Sequence, residues 1–124
     1  LAGYRALAML LRENSRRAYS QVIFSQDEGN TWSPPQSLPA SLTGDRHVLH
    51  YAEDGRLVAV FRDWQPAKAS GPADGDFVAW VGRYQDIKEG KPGQYRVRLL
   101  ENYAGFDAGY AGLELLDDGY LAHQ

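Results

Sequence analysis

The sequence predicts an all-β chain assembled from repeated four-stranded antiparallel units. Three observations carry that expectation. Short apolar runs are separated by Asp-Gly pairs and by turns rich in glycine and proline, the pattern of strands joined by tight turns. A hairpin motif occurs twice: "VLHYAEDGRLVA" and "GLELLDDGYLAH" align on Gly55 and Gly119, which stand 119 − 55 = 64 residues apart. That interval holds four strands, as a β-propeller blade requires. Finally, 124 residues with 44% hydrophobic and 12% aromatic content supply a core for one domain.

The elements follow in order. Ala6 to Leu11 is apolar throughout and suits a helix by propensity as well as a strand. "YSQVIFS", residues 19–25, alternates and reads as a strand. The turn "SQDEGNTWS" comes next. "PPQSLPASLTG" reads as a loop, because three of its eleven residues are prolines, which cannot donate to a ladder. "RHVLHYA" and "RLVAVFR" form a hairpin turned by Asp54-Gly55. A largely apolar strand is expected around Phe77 to Val81, and "GQYRVRLLE" alternates as its partner. "YAGLELL", "DDG" and "YLAHQ" repeat the hairpin.

The repeat sets a register. Residues 6–34 correspond to strands two to four of one blade, residues 46–100 to a whole blade, and residues 110–124 to the start of a third. About two blades of four antiparallel strands are therefore expected, a partial propeller, where closed propellers have about four to eight. The chain starts at Leu1 and stops at Gln124 inside an expected strand, so residues 1–124 read as a fragment of one propeller domain. An open stack leaves strand edges exposed, through which copies could associate. A self-contained small β-sandwich is the alternative.

The stretch Ser25-x-Asp27-x-Gly29-x-Thr31-Trp32 resembles the Asp-box, or bacterial neuraminidase repeat, of sialidase-like β-propellers. The physical basis of such a pattern is local. An Asp side chain accepts hydrogen bonds from its own turn, glycine supplies a positive φ, and the aromatic ring is expected to pack between sheets. Asp27 is thus expected to staple a turn rather than to catalyse. "LTGDRH", "DGRLVAVFRD", "FVAWVGRYQDI" and "GQYRVRLL" extend the resemblance over most of residues 12–120. In the second unit "GRYQDIKEGKPGQY" stands in place of the box and reads as a solvated hairpin tip.

The up-and-down course of four-stranded units brings "RENSRR" (12–17), "GDRH" (44–47), "FRDW" (61–64) and "NYAGFDAGY" (102–110) to one end, opposite the Asp-box. The resemblance implies an exo-hydrolase that releases an acidic, sialic-acid-type sugar from glycoconjugates. Arg12, Arg16, Arg46 and Arg62 would hold its carboxylate, with Asp107 beside them. Asp45 or Asp63 would serve as general acid, with Asp107 a third candidate, and Glu13 would activate a tyrosine such as Tyr110. His47 would neutralise a uronate or remove a proton if the protein is instead a polysaccharide lyase. A non-catalytic propeller that binds glycans or proteins is a third possibility. Plainer roles compete at each position. Arg46 and Arg62 suit pairing with Asp45 and Asp63, Glu13 suits a turn cap or a pair with Arg16, and His47 and Tyr110 suit the core. His50 and His123 read as structural.

The family's Phe/Tyr-Arg-Ile-Pro motif and its late tyrosine-bearing blade are missing, so the chain alone is expected to show no turnover. A net charge of −3 carries none of the basic footprint of a nucleic-acid binder. No apolar run reaches the roughly 18 residues of a membrane span. Without cysteine there is no disulfide, thiolate metal site or cysteine nucleophile. His47 and His50, three apart on a strand, face opposite sides, so no metal and no cofactor is expected.

Overall fold

The computed structural model describes residues 6–66, 75–102, 110–119 and 121–123. The described elements are overwhelmingly strands, in three antiparallel sheets. β1 (Leu7–Leu11), β2 (Gln21–Ser25) and β3 (Gln36–Ser37) form the first, in that order. The ambiguous run at residues 6–11 is thus a strand. Leu10 faces Val22 and Ala8 faces Phe24 across the ladder, a pairing that buries one side of the run, where a lone helix would have nothing to pack on. The proline-rich stretch is a loop except at Gln36–Ser37, which pair with Val22 and Gln21. Pro34, Pro35 and Pro39 bracket that pairing and limit it to two residues. A 3-10 turn, Ala40–Leu42, seats Leu42 in the core.

The second sheet is a meander of β4 (Gly44–Tyr51), β5 (Leu57–Asp63), β6 (Phe77–Gly82) and β7 (Tyr95–Leu100). The third is the hairpin β8 (Leu113–Leu115) and β9 (Leu121–His123), with β8 beside β4. No closed sheet forms among the described residues. No helix in them is long and apolar enough to cross a membrane.

Strand alternation decides which side of the second sheet meets which neighbour. Leu57, Ala59, Phe61, Val78 and Trp80 share one side with Leu49, and pack on Ala8, Leu10, Val22 and Phe24 of the first sheet. Burying the larger of these side chains contributes roughly 1.5–3 kcal/mol each, before the entropy of ordering them. The other side carries the columns Val48–Val60–Ala79–Val97 and His50–Val58–Val81–Tyr95.

The meander is interrupted toward each end of the second sheet, and the β6–β7 ladder also shifts register between Phe77 and Val78. The segment expected as a solvated tip between β6 and β7 contains a helix, α1 (Tyr84–Glu89), stopped by Gly90 in the left-handed conformation. Ile87 on α1 is buried, and Tyr84 meets Phe24 edge to face, centroids 6.3 Å apart, so α1 plugs the gap beside the first sheet. The ladder between β4 and β5 slips between Asp45 and Val48, where Arg46 takes a φ of 60°. This bulge re-aims the side chains at the start of β4.

Candidate functional site

The ends of the strands sort by charge chemistry. The β4–β5 turn, α1 and the Asp-box lie toward one end: Gln36 donates to the Lys88 carbonyl at 3.1 Å, beside the Phe24–Tyr84 contact. At the other end the β1–β2 loop, the start of β4, the end of β5, the start of β6 and the end of β7 come together. "RENSRR", "GDRH" and "FRDW" meet there, with Tyr110 from the fourth cluster. Asp107 lies outside the described residues.

Asp45 is the hub. It is buried, and its Oδ2 accepts from Arg16 Nη2 at 2.7 Å, with Arg62 Nη2 at 3.9 Å. Arg62, itself buried, sits opposite Asp45 in the ladder, so strand pairing sets their meeting. Arg16 arrives from the β1–β2 loop with a φ of 61°, and its guanidinium lies 4.2 Å over the Trp64 ring. The Ser20 hydroxyl ties loop to strand by donating to the Gly44 carbonyl at 3.0 Å and accepting from the Gly44 N–H at 3.1 Å. Only glycine fits there, because a Cβ on Gly44 would run into the Arg62 carbonyl and lie 2.7 Å from the Phe61 ring. Two of the four candidate arginines are therefore engaged by a carboxylate of the chain itself.

The other two are not engaged by any carboxylate among the described residues. Arg12 and Arg46 line a cleft of about 260 Å³ with Leu10 and His47. Among the described residues neither makes an ion pair, and Arg46 instead lies 4.1 Å over the ring of Tyr110. A non-glycine residue at positive φ costs about 1–3 kcal/mol and persists where its surroundings hold it. Among the described residues there are three, and two are Arg16 and Arg46.

The remaining acids are occupied. Asp63 Oδ1 forms an ion pair with Arg96 at 3.0 Å and accepts from Gln65 at 2.8 Å. Asp76 accepts the Asn102 N–H at 2.7 Å, with Arg98 at 3.6 Å. Glu13 caps its own turn: its carboxylate accepts from the Ser15 hydroxyl and from the N–H groups of Ser15, Arg17 and Ala18. Those bonds, the Ser15 hydroxyl's foremost, hold its pKa down to about 2. No tyrosine contact of Glu13 is found among the described residues.

His47 stacks on Phe61, ring centroids 4.6 Å apart, and its Nε2 donates to the Leu42 carbonyl at 2.7 Å. Burial pushes its pKa below 6.5, only partly opposed by the Leu42 bond and the charge of Asp45. This is a neutral, packed imidazole. His50 lies on the other side of the sheet, its Nδ1 bonded to the Tyr51 carbonyl at 2.7 Å. No group of three metal-ligating side chains occurs among the described residues.

At the far end the Ser25–Trp32 turn does what its chemistry dictates. Asp27 Oδ1 accepts from the Thr31 N–H and the Ser25 hydroxyl, each at 2.8 Å, and Oδ2 accepts from the Thr31 hydroxyl at 2.6 Å. Ser25 in turn accepts the Gly29 N–H at 2.8 Å, and Gly29 has a φ of 92°. Trp32 differs from expectation. It is 37% exposed, its ring lies over Gly29, and its Nε1 donates to the Gly29 carbonyl at 3.1 Å.

Gln65, Asp76, Arg96 and Arg98 join the cluster without having stood out in the sequence. The signal for the arginines was available: in "YRVRLL" they sit two apart on a strand and so face the same side. No family model, curated protein or solved structure matches the chain.

Proposed function

We propose that this chain forms part of the sugar-binding end of a sialidase-like β-propeller, which takes the carboxylate of an acidic, sialic-acid-type sugar and releases that sugar from glycoconjugates. The observation that carries the proposal is the cleft where Arg12 and Arg46 come together with no carboxylate paired to them among the described residues. Two guanidinium groups facing one opening suit a planar anion, because each offers a fork of donors that matches two oxygens. Trp64 and Tyr110 stand nearby as ring surfaces on which a sugar face can pack. The Asp-box turn and the stacking of successive strand groups, with β8 beside β4, support a propeller order of sheets.

A second, binding-only function is favoured by one specific fact. Asp45, Asp63 and Glu13 are each held by arginine, amide or hydroxyl donors, so none of them stands free to give a proton. For the lyase alternative, the candidate base His47 is stacked on Phe61.

Isothermal titration of the chain with a sialylated trisaccharide and with its neutral counterpart tests the assignment. The acidic sugar is expected to bind and the neutral one not. R12A and R46A are each expected to weaken binding about tenfold or more, the loss of a charge-assisted hydrogen bond. Equal binding of the two sugars would end the proposal.

A further inference from the structure

We propose that Tyr110 is a positioning residue for Arg46: its ring face orients the guanidinium while leaving the positive charge for an anionic ligand. The role rests on the sugar-binding function above. It differs from the nucleophile role implied for Tyr110 by the resemblance, because it needs the ring and not the hydroxyl.

The cluster holds its arginines in two ways. Arg16 and Arg62 are gathered by Asp45, whose single charge they share, and Arg96 by Asp63. A ligand carboxylate arriving at those guanidinium groups would have to displace an acid already in place. Arg46 has no such acid among the described residues. Its backbone sits in the bulge at a φ of 60°, outside regular pairing, so the strand ladder does not fix its side chain. What fixes it is the Tyr110 ring at 4.1 Å. Tyr110 is 65% exposed, so the ring gains little from burial, and Arg46 lies over one of its faces. An aromatic face attracts a cation through its quadrupole and carries no net charge. It therefore restrains a flexible arginine without competing for the arginine's in-plane N–H donors, and Arg46 lines the cleft together with Arg12. Restraint before binding lowers the entropy lost on binding.

The test combines an NMR signature with a double-mutant cycle, using a sialylated trisaccharide and inorganic sulfate as probes. In the ligand-free protein the side-chain signals of Arg46 are expected to be shifted by the Tyr110 ring current. Y110F is expected to keep that shift and Y110A to lose it. Y110A is expected to weaken both probes about two- to fivefold, the scale of an exposed cation–π contact, and Y110F to restore them. In an R46A background Y110A is expected to change nothing further. If the trisaccharide fails to bind while sulfate still perturbs Arg46 in a Tyr110-dependent way, the sugar assignment falls and the positioning role stands. If Y110A leaves signals and affinities unchanged, if Y110F behaves like Y110A, or if neither probe touches Arg46, the positioning role is overturned.

Discussion

Asp27 and Asp45 are the same residue type in opposite circumstances, and the difference decides what each can do. Asp27 is exposed and satisfied within its own turn. The Thr31 hydroxyl, the Thr31 N–H and the Ser25 hydroxyl together hold its pKa down to about 2, from an ordinary 3.8. A depressed folded-state value means that the carboxylate's stabilisation is fully present above pH about 4 and is lost as pH falls toward 2. Glu13 follows the same sign, from 4.5 to about 2. Urea midpoints measured from pH 5 to 2 should therefore fall for the wild type and fall less steeply for D27N; parallel curves would contradict the turn-staple role. His47 adds a separate window. Its folded pKa lies below 6.5, so protonating the unfolded chain costs stability as pH drops below that value, and H47L should remove that slope. Asp45 is buried and gathers Arg16 and Arg62 on one oxygen, and D45N removes that charge from the cluster. Breaking a buried pair from one side costs about 3–5 kcal/mol, which chemical denaturation would read directly. A sequence shows the acid and its spacing but not its burial, which is why Asp27 could be assigned from the box while Asp45 could not be told from Asp63.

At the scale of elements, the β6–α1–β7 unit depends on one indole. Trp80 is fully buried and donates from Nε1 to the Pro92 carbonyl at 2.8 Å. Gly82 and Gly93 lie against its ring: a Cβ on Gly82 would come within 2.5 Å of it, and one on Gly93 closer still. Gly93 also has a φ of 86°, which a side chain rarely adopts. G82A and G93A should each cost about 1–3 kcal/mol, the scale of overpacking a core, with G93A the worse for its backbone. G112A, where nothing lies within 4 Å, should change stability by less than about 0.5 kcal/mol. If all three variants behave alike, Trp80 is not held as described. The strands here were legible from period-two alternation and the Asp-Gly turns. The helix was not: α1 spans only Tyr84–Glu89, and a single apolar pair, Tyr84 and Ile87, carries its helical spacing. Gly90 and the lysines around it were a stop signal with too short a run before them to interpret.

For the molecule as a whole, the repeated hairpin made the order of strands legible, because each turn glycine marks the same point in successive units. Which side chains meet at the candidate end was legible only as a neighbourhood. The bulge at Arg46 and the engagement of Arg16 and Arg62 by Asp45 depend on register and loop geometry that no local pattern encodes. The same alternation leaves apolar columns uncovered. On the first sheet Leu7 and Met9 are 42% and 46% exposed, on the side opposite its core; on the second, Tyr95 and Val97 are 47% and 45% exposed at the end of columns that are otherwise partly or fully buried. β1 and β7 are also terminal strands of their sheets among the described residues, with backbone groups free to pair. Apolar columns and open edges on one chain favour association between copies. The chain is therefore expected to grow in mean mass with concentration in light scattering after size exclusion. M9K with V97K, which places charge on both uncovered sides without touching the core, should return it to monomer at unchanged denaturation midpoint. A wild type that stays monomeric at every concentration would show that these surfaces are tolerated in water as they stand.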